Sequence, residues 1–381
     1  IVLDPVVRKT VGMYLDQPIA VVDYASLYPS SIIENNFSHE TYICTRKDYD
    51  LNPGKYNNFL ENNSIEYTEA TYDDYEFNEK LKKKDEVIIK ATGEINTIVD
   101  IEDSIDEEDE TKYYILNNDD RKYTLNELTK NDEDKNWDKI KQDSQTTCYF
   151  KSQFHDYKES EGPKYGIIPL ALKELLDQRK ATKKRMKTAE SEDKKKVLDG
   201  LQLAYKVTAN SVYGQMGAKT SSIFFKKIAA CTTAIGRQRI EDAEKGTLEW
   251  AESEFNTMIP KWVENKASIV YGDTDSVFIK FSKIDMNGNE LTGKEAITHT
   301  IKCGELAGDY VTKKWLNPAF RGKTYKGEPI ELTKFKGPQD LEYEKTFWPF
   351  LILTKKRYVG NKYEFDPNKY KQDYNGIVLK R

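Results

Sequence analysis

The chain has 381 residues, room for two or more structural units. Its mean hydropathy of −0.76 and 32% charged residues come with no apolar run near membrane-span length and no secretory signal, which points to an intracellular protein rather than a secreted or membrane one. Its net charge of −5 hides a division: residues 48–162 carry 15 Lys+Arg against 31 Asp+Glu, a net −16, and the remainder carries 44 against 33, a net +11. A positive body bearing one acidic insertion suits binding to phosphates.

Cys44, Cys148, Cys231 and Cys303 are scattered, matching neither a zinc pattern nor a disulfide framework, as expected of a reducing compartment. His39, His155 and His299 are too dispersed for a histidine-based site. Ile1 stands where an initiator Met is expected, so the sequence reads as a fragment.

In chain order, residues 1–47 hold the run Ile19-Ala20-Val21-Val22, which reads as a fully buried strand. Asp23 follows at its end, and Pro29 favours the first turn of a helix continuing through Ile32 and Ile33. A carboxylate at a strand end, before a turn with free backbone N–H groups, suits a metal-bound polyphosphate. The plainer reading makes Asp23 a turn residue and Tyr28 a packing aromatic.

Residues 48–150 are acidic and rich in Asn and Tyr. Their densest part holds Asp100, Glu102, Asp103, Asp106, Glu107, Glu108, Asp109 and Glu110, a composition that stays solvated and is expected to be partly folded at best. Glu86–Lys90 and Tyr113–Leu116 could form a small hairpin within it.

Gly166-Ile167-Ile168-Pro169 begins a helix expected to reach about Glu190, with Leu172, Leu175 and Leu176 on one face and Arg179 and Lys183 on another. A turn near Ser191–Asp193 reverses the chain into a helix carrying Lys206, Asn210 and Tyr213 at i, i+4 and i+7. That face offers a cation, an amide and a ring, although a solvated lysine and a core tyrosine share the same spacing. Residues 151–214 thus form a helical hairpin. Ser222 to about Trp262 is helical, with Ile235, Ile240 and Leu248 on the core side.

Ala267–Tyr271 and Ser276–Phe281 read as a hairpin around Gly272-Asp273-Thr274-Asp275. Period two would put Asp273 and Asp275 on one face. Two carboxylates about 4 Å apart repel by roughly 4 kcal/mol at an effective dielectric near 20, which Mg²⁺ would relieve; an Asp-rich turn that caps its own backbone is the alternative. A helix from Lys294 to Trp315 and a strand Phe347–Leu353 complete an α+β fold: an antiparallel sheet with helices, interrupted by the hairpin.

Three motifs, taken together and in order, are specific: Asp23-Tyr24-Ala25-Ser26-Leu27-Tyr28-Pro29-Ser30, Lys206-Val207-Thr208-Ala209-Asn210-Ser211-Val212-Tyr213-Gly214, and Tyr271-Gly272-Asp273-Thr274-Asp275-Ser276. They resemble the polymerase motifs of family B DNA polymerases, most of all the delta-like branch of eukaryotes and large DNA viruses; the insertion suggests a giant-virus type. Leu341-Glu342-Tyr343-Glu344-Lys345 and Lys355-Lys356-Arg357-Tyr358 resemble the family's primer-side segment. Gly376-Ile377-Val378-Leu379-Lys380-Arg381 resembles its palm-to-thumb junction.

The resemblance implies a palm formed by residues 1–47 and 215–381, fingers formed by 151–214, and template-directed transfer of deoxynucleotides to a primer 3′-hydroxyl in DNA replication. It implies two Mg²⁺ ions, for which Mn²⁺ can substitute, held by Asp23, Asp275 and the Tyr24 backbone carbonyl, with Asp273 in a lesser role. It places the triphosphate against Ser26, Leu27, Tyr28, Arg179, Lys183, Lys206, Asn210 and Tyr213. Tyr28 would lie under the sugar and exclude a 2′-hydroxyl. Lys355, Lys356, Arg357 and Tyr358 would grip the primer strand. Expected partners are primer-template DNA, dNTPs and, in the parent enzyme, a sliding clamp or other replication proteins, with no membrane. The expected location is intracellular, in a host nucleus or a cytoplasmic virus factory if the source is viral. The exonuclease and thumb domains of the family are expected outside this chain. A non-catalytic nucleic-acid-binding module on the same fold is the competing class; it would be marked by a missing carboxylate.

Overall fold

The computed structural model describes residues 12–62, 65–79, 86–89, 91–92, 94–103, 112–119, 121–124, 128–130, 137–155, 162–316, 324–325, 328–329 and 337–377. The chain divides into two compact units, residues 1–72 with 147–381, and residues 73–146.

The larger unit is built on a seven-stranded antiparallel sheet. Its strands are β1 (Gly12–Tyr14), β2 (Ile19–Tyr24), β3 (Ala267–Asp273), β4 (Ser276–Phe281), β5 (Leu341–Thr354), β6 (Arg357–Tyr363) and β7 (Tyr370–Asn375), in the order β3-β4-β2-β5-β6-β7, with β1 also paired to β5. Its main helices are α1 (Leu27–Glu34), α2 (Ile167–Lys187), α3 (Glu192–Gly217), α4 (Lys226–Ser253) and α5 (Gly293–Val311).

Strand β2 lies between β4 and β5. Its side chains alternate between two apolar cores. Ala20, Val22 and Tyr24 join residues of α4 and α5 such as Ile240, Trp250 and Ala307. Ile19 and Val21 join Tyr271, Phe278, Phe347, Phe350 and Tyr358. Burial on both faces explains why Ile19–Val22 is uninterrupted apolar sequence rather than an alternating pattern. Each such aliphatic side chain contributes roughly 1.5–3 kcal/mol on full burial.

Helices α2 and α3 form a hairpin closed by Ser191, whose hydroxyl accepts from the Lys194 N–H at 3.2 Å; Glu192 and Asp193 occupy the positive end of α3. Leu172, Ala209 and Met216 bury the hairpin's root against Ile32, Ile33, Phe37, Ile228 and Ile235. In α4, Ile235 and Ile240 are buried as expected, but Leu248 is 39% exposed. The buried stripe runs through Ala243, Thr247, Trp250 and Ala251, and Leu248 lies about 80° away from Ile240 around the helix. α5 ends at Val311, and a π-helical turn, Thr312–Leu316, takes up the rest of the stretch expected to be helix.

The acidic segment departs most from expectation. Within residues 73–146, strands at 122–124, 112–116, 95–103, 86–89 and 128–130 form a five-stranded antiparallel sheet in that order. Val87, Ile89, Ile98, Tyr114, Leu116, Tyr123 and Leu128 form its core. The two runs expected to pair with each other instead flank Ile95–Asp103 on either side, with Val87 opposite Asn96 and Tyr114 opposite Ile101. Asp100, Glu102 and Asp103 are strand residues, because their neighbours Ile98 and Ile101 supply the core-facing positions. Asp106, Glu107, Glu108, Asp109 and Glu110 lie outside the described residues, as do Val378–Arg381.

Candidate active site

The register of three adjacent strands assembles the site. Asp23, the fifth residue of β2, stands opposite Ser276 of β4 on one side and Glu342 of β5 on the other. The next N–H, that of Tyr24, donates to the carbonyl of Asp275 at 2.8 Å, and the Ala25 N–H donates to the Asp340 carbonyl at 2.9 Å. Asp275 therefore sits beside Asp23 although 252 positions later in the chain. The Tyr24 ring is buried, and its hydroxyl donates to the Arg239 carbonyl of α4 at 2.6 Å, which fixes the strand end from below.

The hairpin departs from simple alternation. A bulge between Ile269 and Tyr271 shifts the β3–β4 register by one residue. β3 then ends at Asp273, and Thr274-Asp275 form the turn, so the two aspartates do not share a strand face. Asp275 lines a cavity of about 400 Å³ together with Asp23, and Asp273 does not. Asp273 Oδ1 accepts from the Thr274 N–H at 2.8 Å and from the ammonium of Lys356. Lys356, in the tight turn between β5 and β6, has a left-handed φ of 58°, and its own N–H donates to the Tyr271 hydroxyl at 3.0 Å.

Burial, then the nearby Asp275 and Glu344 carboxylates, push the Asp23 carboxyl up to about 8, against the pull of Lys206 and Lys345. Asp275 is raised as well, by burial first and then by Asp273 and Glu344. The repulsion anticipated between the two hairpin aspartates thus acts on Asp275, and Asp275 in turn raises Asp23 on the neighbouring strand. Beneath the hairpin, Gly272 lets β3 approach α4, where an added Cβ would stand 3.2 Å from Glu244 Oε1. Glu244 is buried, and that oxygen has no hydrogen-bond partner among the described residues. Its carboxyl is pushed up to about 7, chiefly by burial.

The cavity is also lined by cations. Arg179 and Lys183 of α2 and Lys206 and Asn210 of α3 line it. Arg179 Nε donates to Gln202 Oε1 across the hairpin at 3.3 Å. Burial lowers both the Arg179 guanidinium and the Lys183 ammonium from their ordinary values; Arg179 adds to the effect on Lys183, and Glu342 opposes it at both. Three cations close enough to repel one another, facing two raised carboxyls, leave room for a polyanion carrying its own metal.

The start of α1 forms another part of the lining. Ser26 is left-handed, with φ 66°, and its buried hydroxyl has no partner among the described residues. Ser26, Leu27 and Tyr28 all line the cavity, next to the first N–H groups of the helix. Tyr28 packs its ring against Tyr213 of α3, with centroids 4.3 Å apart.

The primer-side residues separate by environment. Lys355 and Arg357 are exposed. Lys356 is paired with Asp273, and the Tyr358 ring is buried against Phe278 and Phe347 with its hydroxyl accepting from Asn375 Nδ2 at 2.8 Å. Sequence reasoning passed over Lys180, Asp340, Glu342 and Glu344 as site residues, yet all four line the cavity. The exposed–buried alternation of Leu341-Glu342-Tyr343-Glu344 was the readable signal for the two glutamates.

Among the described residues no group of three or more His, Cys, Asp or Glu side chains is arranged to hold a metal, and no helix is long and apolar enough to cross a membrane. Two carboxylates with a backbone carbonyl remain an adequate set for Mg²⁺, which takes one or two protein carboxylates and completes its shell with water and substrate phosphate oxygens.

The family model for DNA polymerase family B matches residues 2–89 and 122–303. The DNA polymerase of Pyramimonas orientalis virus is 35% identical over the whole of this chain and 26% of its own length. The DNA polymerase of Phaeocystis pouchetii virus is 34% identical over 79% of this chain and 24% of its own. The DNA polymerase delta catalytic subunit of Candida albicans is 35% identical over 61% of this chain and 19% of its own. The chain therefore spans about a quarter or less of the length of these relatives. A match over most of the sequence, across all three motifs, shows that the chain belongs to DNA polymerase family B.

Proposed function

We propose that this chain is the nucleotidyl-transfer part of a DNA-directed DNA polymerase, with the seven-stranded sheet and helices α4 and α5 as palm and the α2–α3 hairpin as fingers. The observation that carries the reading is the meeting of Asp23 and Asp275 in one cavity with Arg179, Lys183, Lys206 and Asn210. Primer-template DNA and dNTPs are the substrates, and the role is DNA replication inside a cell.

Asp23, Asp275 and the Tyr24 carbonyl would hold two Mg²⁺ ions, or Mn²⁺ in their place. Bound there, the metal supplies activation of the primer 3′-hydroxyl and charge neutralisation on the pyrophosphate leaving group. The protein's own groups do the positioning that phosphoryl transfer requires. The amides of Leu27 and Tyr28 and the Ser26 hydroxyl offer donors to phosphate oxygens, and Arg179, Lys183 and Lys206 balance the triphosphate charge. Tyr28, held by Tyr213, presents its ring beneath the sugar. Lys355 and Arg357 meet the primer strand, while Lys356 and Tyr358 hold their turn against the catalytic hairpin.

The test is primer extension by the full-length enzyme. Asp23→Ala and Asp275→Ala abolish extension and leave primer-template binding in place. Near-normal extension by Asp275→Ala would sink the assignment.

A further inference from the structure

Gly236 lies buried in the interior of α4, in ordinary helical backbone. Glycine there costs a helix about 1 kcal/mol relative to alanine, so the backbone gains nothing from it. What it supplies is space. An added Cβ would stand 2.8 Å from Tyr28 Cε1, closer than carbon atoms pack, and 3.4 Å from Tyr28 Cδ1. The Tyr28 ring also meets Tyr213, with centroids 4.3 Å apart and planes inclined by 34°. The ring therefore touches a bare stretch of helix backbone and a second ring, and it also lines the cavity.

We propose that Gly236 is a positioning residue for sugar selection: the bare backbone at this position sets how far the Tyr28 ring stands into the nucleotide cavity. The inference rests on the polymerase reading and extends it to a residue that does not line the cavity. α4 is a 28-residue helix whose neighbouring turns bury Ile235, Arg239 and Ile240, whereas Tyr28 is partly exposed in the first turn of an eight-residue helix. Under an added methyl group the ring yields before the helix does, and because Tyr213 packs against it as well, the space left to it is the cavity it lines.

The direction is opposite to that of removing the ring. Tyr28→Ala opens the sugar slot and admits rNTPs. Gly236→Ala narrows it, raising the KM for dNTPs and depressing rNTP incorporation further still, with kcat for dNTPs less affected.

The experiment is single-nucleotide incorporation of dNTPs and rNTPs by the full-length enzyme across a double-mutant cycle. Gly236→Ala is expected to raise the dNTP KM on the order of tenfold, within the range that ångström-scale misplacement produces. The same rise is expected in a Tyr28→Phe background, which keeps the ring. In a Tyr28→Ala background the substitution changes neither KM nor sugar selectivity by more than about twofold, the scatter of uncoupled sites. Persistence of the effect without the ring, or unchanged KM and selectivity with it, overturns the proposal. If Gly236→Ala alone does not fold, recovery of folded protein by adding Tyr28→Ala supports it, and an unfolded double variant overturns it. A wild-type enzyme that extends no primer overturns the polymerase reading and this inference together; a wild-type enzyme that extends normally beside an unaltered Gly236→Ala overturns this inference alone.

Discussion

A carboxyl held at about 8 by burial and a neighbouring carboxylate carries a proton at neutral pH unless a cation replaces it, and Asp23 is such a group. Asp273 differs in kind: its Oδ1 is occupied by the Thr274 N–H and the Lys356 ammonium, and it lies outside the cavity lining. Asp273→Ala is accordingly expected to be milder than Asp275→Ala. It releases Lys356 rather than a metal, so its measurable loss is in primer-template affinity, with the Mg²⁺ dependence of extension unchanged. Glu244 allows a pH prediction independent of metal. Its carboxyl titrates near 7 in the folded protein against an ordinary value of 4.5, so the folded state holds the proton more tightly than the unfolded state. The stability contributed by that proton is complete below about pH 4.5 and is lost as pH rises through about 7. Glu244→Gln keeps the neutral form throughout. It should flatten the fall in melting temperature across that window and stabilise the protein at pH 8 by roughly 1–2 kcal/mol. A fall of unchanged steepness in the variant would remove Glu244 as its source.

The elements that carry the motifs were readable because each announces itself locally. Ile19–Val22 is apolar at every position, Ser191 with Glu192 and Asp193 opens α3, and the β3–β4 hairpin is framed by β-branched runs. Hidden from the sequence was whatever depends on register. The bulge before Tyr271 and the ending of β3 at Asp273 decide which aspartate enters the cavity, and the pairing of Asp23 with Glu342 across β2 and β5 brings in carboxylates from a segment over 300 residues away. Leu248 was misplaced because a helix face drifts from a simple count of apolar residues. The hairpin of α2 and α3 makes a prediction at this scale. Lys206 lines the cavity and acts on Asp23, and it stands close enough to Lys183 to lower it. Lys206→Ala should raise the dNTP concentration needed for half-maximal incorporation while leaving primer-template affinity and its salt slope nearly unchanged, because few DNA phosphate contacts are lost. A large loss of DNA affinity at unchanged dNTP dependence would assign the lysine to the duplex instead.

For the whole molecule, the acidic segment is a folded unit with a core of its own, which moves the boundary at which it can be removed. Replacement of residues 73–146 by a short Gly/Ser linker should leave the sheet and helical hairpin folded and nucleotide binding intact, read by circular dichroism and nucleotide titration. Cutting as early as residue 60 should fail. It removes Thr68, whose hydroxyl donates to the Asn35 carbonyl at 2.9 Å, and Ala70, which packs in the core at the root of α2 and α3. Loss of nucleotide binding in the 73–146 replacement, with the remainder folded, would place that unit in the active site. The central position of β2 also has a consequence for how the protein comes into being. Its two sheet neighbours are specified by residues 276–281 and 341–354, so at 5–20 residues per second a ribosome makes this strand, with its apolar run Ile19–Val22, some tens of seconds before its partners exist. During that interval Ile19–Val22 is an unpaired, sticky segment of nascent chain, and the cavity cannot form until β5 has been made and has paired with it. Chaperone occupancy on the emerging chain should therefore rise after β2 leaves the exit tunnel and persist until β5 follows it.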